Sequence, residues 1–113
     1  MLGWLFGKRA LDPVPLVLYA RRDSAAALDM KEEIERARLA WPYSLTEVDV
    51  ARDPELAARF HGRLPVLWIG GQKAFEGRMN AADFTRKFQE LARRWWRAQS
   101  LAEDMAASRE PKR

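Results

Sequence analysis

Cysteine is absent from the 113 residues. That absence excludes disulfides, thiolate metal sites and every reaction that runs through a thiol. Histidine is almost absent: His61 stands alone. No second histidine or carboxylate pair gives it a metal or triad context, so it reads as a surface residue near a helix end, where a cation is mildly favoured. No apolar run approaches the roughly 18 residues of a membrane-spanning helix. Charge of one sign does not dominate, with 20 Lys and Arg against 16 Asp and Glu.

What is present suits one folded domain. Apolar residues make up 48% of the chain, enough for a core, and charged residues 32%, ordinary for a wet surface. The net charge of +4 permits a polyanion partner without requiring one. The surplus sits at one end. From Arg86 onward eight Lys or Arg face four acids, so the last quarter carries the whole excess.

Residues 1–13 form an apolar, then basic, lead-in. A secretory signal has the reverse order and a longer apolar region, so a cytoplasmic location is expected. Trp4, Leu5 and Phe6 either pack against the domain or its C-terminal helix, or make a shallow membrane-surface or partner contact with Lys8 and Arg9 on lipid phosphates.

The domain itself spans 14–99. Leu16-Val17-Leu18-Tyr19 is apolar without alternation, which predicts a central strand covered on both faces. Asp23 or Ser24 caps a helix that reads to about Ala40, with Ala27, Met30, Ile34, Ala37 and Trp41 on one stripe. Lys31–Glu35 and Glu32–Arg36 are expected as surface pairs. Tyr43 to Val50 reads as a second strand whose apolar phase slips, leaving its faces unassigned. Asp53-Pro54-Glu55 opens a second helix, and His61-Gly62 stops it. A strand after Pro65, a Gly70-Gly71 turn and a strand from Gln72 to Phe75 form a hairpin. Asn80 caps a last helix with Phe84, Phe88, Leu91 and Trp95 on its core face. That helix runs on into 100–113, an extension ending in a basic tail. The order β-α-β-α-β-β-α implies an α/β domain: a mixed four-stranded sheet with helices packed on it.

The stretch Arg63-Leu64-Pro65-Val66-Leu67-Trp68-Ile69-Gly70-Gly71, with the strand and helix before it, resembles the small bacterial glutaredoxin-like proteins of the thioredoxin-fold family. The resemblance covers roughly Leu16 to Phe88. It implies a thioredoxin-like fold and a cis bond before Pro65. In the family, the loop after the first strand carries Tyr-x-Arg-x-x-Cys-x-x-Cys. Here it reads Tyr19-Ala20-Arg21-Arg22-Asp23-Ser24-Ala25-Ala26-Ala27, which puts Ser24 at the attacking cysteine and Ala27 at the resolving one. Gly77 falls at the family's Gly-Gly turn, with Arg78 in place of the second glycine.

The resemblance therefore implies a redox-inactive relative without a catalytic residue. The candidate ligand or peptide contacts are Arg21, Arg22, Asp23, Ser24, Leu64, Pro65 and Gly77. Its expected role is a non-catalytic binding or scaffold module for a protein or peptide partner, as a monomer or homodimer, with no cofactor or metal. One alternative is a transferase-like protein that uses the Ser24 hydroxyl to hold the thiolate of glutathione or another small thiol. A weaker one gives Arg93, Arg94, Trp96 and Arg97 to nucleic acid or an anionic membrane. Equally, those arginines are the wet face of a helix.

Overall fold

The computed structural model of the chain describes residues 12–109; the lead-in 1–11, with Trp4, Leu5, Phe6, Lys8 and Arg9, and residues 110–113 lie outside the described residues. The elements are β1 (Val14–Ala20), α1 (Ala25–Arg36), β2 (Tyr43–Asp49), a 3₁₀ turn (Val50–Arg52), α2 (Pro54–Arg59), β3 (Val66–Ile69), β4 (Gln72–Glu76) and α3 (Ala81–Arg109). The sheet order is β2-β1-β3-β4, with β1 parallel to β2 and antiparallel to β3. An intervening helix permits the parallel pair, because a parallel crossover needs a dozen or so residues. The β3–β4 hairpin follows from Gly70 and Gly71, whose φ angles of 57° and 83° suit the turn that matches strand twist. The described residues are thus α/β, with a mixed open four-stranded sheet and three α-helices. Among the described residues, no helix is long and apolar enough to cross a membrane.

The sheet separates two unequal cores. On one face α1 and α3 bury Ala27, Met30, Ile34, Phe84, Phe88, Leu91 and Ala92 against Leu16, Leu18, Leu67 and Ile69. Phe84 and Phe88 are fully buried with ring centroids 5.8 Å apart. On the other face only Val50, Phe60 and Val66 are buried, with Tyr19, Leu56, Leu64 and Trp68 packed around them. β1 shows the difference along its length: Val14, Leu16, Leu18 and Ala20 are buried, while Pro15, Val17 and Tyr19 between them are half-buried. The strand is apolar on both sides, as its sequence indicates, but the cover is uneven. α2 has only six residues and shields little.

β2 itself feeds only the larger core, and Val48, where its apolar phase slips, is half-buried in neither. Tyr43 and Leu45 pack on the larger core, and Val50, just past the strand, enters the smaller one.

α1 is shorter than the sequence indicates. It stops at Arg36, and Ala37 is extended with its N–H donating to Glu33 and Ile34 carbonyls. Pro42 keeps its preceding residue out of helical geometry. Its carbonyl also accepts from Val14 N–H at 2.9 Å, so the chain must already be extended to rejoin the sheet. Ala37 and Trp41 still pack on the larger core, but from this extended return rather than from a helix stripe.

The expected Lys31–Glu35 and Glu32–Arg36 pairs are also replaced. Lys31 reaches Glu47 on β2 at 3.1 Å, and Arg36 pairs with Glu33. The Glu33 carboxylate also accepts from Ala81 N–H at 2.8 Å, at the start of α3, where negative charge is favoured. α3 begins after Asn80, whose side chain accepts from Asp83 N–H at 2.8 Å.

Candidate functional site

The end of β1 and the start of α1 meet the loop before β3. Arg21, Arg22 and Asp23 form the tight link between β1 and α1, and Ser24 N–H donates to Arg21 carbonyl at 3.1 Å. Ser24 then caps α1. Its backbone is extended and its Oγ accepts from Ala27 N–H at 3.0 Å. The hydroxyl proton takes no part in that bond. Ala27 is buried in the larger core, whereas Ser24 is half-exposed.

Across from Ser24 the chain approaches β3 through Gly62, Arg63 and Leu64. Gly62 has φ of 75°, a left-handed turn that glycine adopts without strain. The Leu64–Pro65 bond is cis, and Pro65 is fully buried. Pro65 carbonyl accepts from Gly77 N–H at 2.8 Å. Leu64 is half-buried and hydrogen-bonds to no other described residue. A hollow of about 400 Å³ joins Ser24 to Leu64, and Arg21, Ala57, His61 and Gly62 complete its lining.

A second hollow of about 520 Å³ lies on the other side of the β1–α1 link, where Arg21, Arg22, Asp23 and Ser24 face Lys31 and Glu47. Gly77 does not join either. It lines a third hollow of about 490 Å³ with Ala26, Arg78 and the acidic Asp29, Glu32 and Glu33 of α1. The predicted contacts thus divide: Arg21, Ser24 and Leu64 share one hollow, Arg22 and Asp23 share a second with Arg21 and Ser24, and Gly77 stands apart.

The electrostatics around Ser24 are mixed. The free N–H groups of a helix start and the nearby Arg21 favour an anion, while Asp23 opposes one. Arg21, Arg22 and Asp23 make no ion pair with another described residue, so their charges stay open to solvent. Among the described residues no group of three or more His, Asp or Glu could hold a metal ion.

His61 reads from sequence as a bare surface residue. It is exposed, yet it also lines the hollow with Ser24 and Leu64. Its signal in the sequence is position alone: it falls four residues before Pro65, inside the loop that must bring the chain back to the sheet.

On α3, Arg93, Arg94 and Arg97 are exposed, and Arg94 pairs with Glu90 at 3.1 Å. Trp96 packs instead against the larger core, edge-on to Trp95 with ring centroids 5.5 Å apart. Its Nε1 is enclosed without a hydrogen-bond partner. Trp95 and Trp96, the aromatic neighbours of the three arginines in α3, are thus partly buried against the core and not fully open for a base to stack on.

The chain matches no protein-family model, and no curated protein matches it.

Proposed function

We propose that the chain is a cysteine-free, thioredoxin-like protein of the glutaredoxin-like kind and acts as a non-catalytic binding module for an extended peptide segment of a partner. One observation carries the proposal: Leu64, beside the hollow that also contains Ser24 and Arg21, has a backbone with no hydrogen bond to another described residue. An extended peptide recognises such a backbone by strand-like pairing, and its side chains enter the adjacent hollow. The sheet order β2-β1-β3-β4, with Pro65 opening β3 opposite the start of α1, supports the fold half of the proposal. Thiol–disulfide exchange is not part of it, because the chain has no cysteine.

Use of Ser24 on a small thiol is the second possibility. It is favoured by the hydroxyl proton that the cap leaves unused. Asp23, next to Ser24 at the helix start, weighs against it, since its carboxylate opposes an incoming thiolate.

An amide NMR titration separates the two. The probes are glutathione and a set of short unstructured peptides of differing charge. Peptide-induced shifts at Arg21–Ala26 and Arg63–Val66, with none from glutathione, are the expected result. Saturable shifts at Ser24 from glutathione alone would favour the thiol ligand. A flat response at both segments to every probe would remove the site.

A further inference from the structure

We propose that the free edge of β2 pairs antiparallel with β2 of a second copy of this chain, about a two-fold axis at Leu45, joining the two sheets into one.

The first observation is that β2 offers an open ladder. It stands at the end of the sheet order, and its register with β1 runs unbroken from Tyr43 to Asp49. Pro42 carbonyl points at β1, where it accepts from Val14 N–H. Alternation along the strand then turns Ser44, Thr46 and Val48 toward β1, while Tyr43, Leu45 and Glu47 turn their N–H and C=O groups outward. Among the described residues no backbone hydrogen bond reaches those three. The other edge is blunted differently. β4 has five residues, a register shift against β3, and a Lys73–Glu76 ion pair. Short length, irregularity and lysine are the usual guards of an edge strand, and β2 carries none of them.

The second observation is that β2 is complementary to itself. Antiparallel pairing about Leu45 sets Leu45 against Leu45 and Tyr43 against Glu47 of the second copy, with Ser44 against Thr46 between them. The three outward residues then meet as hydrogen-bonded pairs, and no two like charges face each other. Neighbouring registers are poorer. Centred on Thr46, each Leu45 would face a Glu47 carboxylate; centred on Glu47, two carboxylates would meet.

The third observation is the flank of α1. Tyr43, Leu45 and Glu47 lie on the α1 side of the sheet, the first two on the larger core and Glu47 on Lys31. A two-fold axis perpendicular to the sheet keeps both α1 helices on that side. Glu35 shares a hollow of about 400 Å³ with Tyr43 and Leu45, and Leu28 reaches along it to Val48 and Asp49. Because the second copy runs the other way, Lys31 of each copy comes level with Glu35 of the other. Leu28, 52% exposed, comes level with the second copy's Tyr43 ring. The occupant that matches backbone, apolar side chains and charge at once is the same strand and helix turned round. This surface goes beyond the peptide reading and is separate from it, since β1 lies between β2 and β3.

Sedimentation equilibrium of the full chain should show a concentration-dependent dimer. Glu35→Lys and Lys31→Glu should each weaken it about tenfold, and an equimolar mixture of the two variants should restore it, because the mixed pair regains both attractions. Ser44 and Thr46 are exposed and the chain has no cysteine, so the register can be read directly. Ser44→Cys and Thr46→Cys chains, mixed under mild oxidant, should give the mixed disulfide in excess over either homodimer, by intact mass. A chain that stays monomeric at millimolar concentration would overturn the proposal. So would a dimer indifferent to both charge reversals, or homodimeric disulfides in excess. None of these outcomes depends on whether the hollow beside Leu64 binds a peptide.

Discussion

Gly70→Ala isolates the joint between the β3–β4 hairpin and α3. Two separate effects follow from adding one methyl group. Gly70 has φ of 57°, where a non-glycine residue is strained by about 1–2 kcal/mol. The new Cβ would also stand 3.1 Å from Trp95 Cβ and 3.4 Å from two of its ring carbons. Trp95 Cβ cannot withdraw easily, because Phe88, Leu91 and Ala92 fix that part of the helix in the core. Overpacking of this kind costs about 1–3 kcal/mol. Gly71→Ala is the internal control. Gly71 has φ of 83° but nothing within 4 Å of its added Cβ, so it suffers the strain without the clash. The expected losses are about 1–2 kcal/mol for Gly71→Ala and about 2–5 kcal/mol for Gly70→Ala. Urea unfolding followed by far-ultraviolet circular dichroism reads both, with an unchanged slope showing that stability alone has moved. Equal losses, or a larger loss at Gly71, would refute the packing of α3 against the hairpin.

Ser24→Ala removes the α1 cap and should lower stability by about 1 kcal/mol, whereas Ser24→Asp should hold it near the native value; chemical denaturation checks both. Ser24→Cys combined with Ala27→Cys should form an intramolecular disulfide under mild oxidant, read by intact mass, and only free thiols or linked dimers would show that this turn of α1 is misplaced. The Glu76 carboxyl is held below its ordinary range by a hydrogen bond from Lys73, with added attraction from the Lys73 and Arg63 charges. A depressed carboxyl stabilises the fold above its unfolded pKa, and that contribution fades as pH falls through the folded value. Lys73→Met should therefore flatten the acid side of the stability profile between those two values and leave the neutral region's slope unchanged, as urea midpoints measured across that pH range would show.

Much of the architecture is legible in the sequence because each element carries its own punctuation. Asp53-Pro54, Asn80 and Gly70-Gly71 mark their turns and caps whatever surrounds them, and Phe84, Phe88 and Leu91 bury as their spacing requires. The features that escape it are those that tertiary contacts decide. α1 ends at Arg36 because Pro42 must meet Val14, a contact that helix periodicity cannot reveal. Lys31 turns to Glu47 and Arg36 to Glu33 because long side chains choose among neighbours that only the fold supplies. Ala92 belongs to the core although alanine gives a weak periodic signal. At the site, Ser24 as a cap and Pro65 as the opening of β3 can be read directly. The separation of Gly77 into an acidic hollow, and the arrival of His61 beside Ser24, cannot, since both depend on how loops cross the sheet.

The two faces of the sheet are held with unequal strength, and the hollow beside Leu64 lies on the weaker one. Among the described residues, three buried side chains anchor that layer, against thirteen on the other side. Local opening costs least where few apolar side chains must be exposed. The α2 layer should thus loosen before the whole chain unfolds, and anything that binds only its closed form adds RT ln(1 + [L]/Kd) to its stability. A partner seated against Leu64 would act as a removable fourth wall for a thin layer, and its arrival would be felt first in the slowed opening of α2.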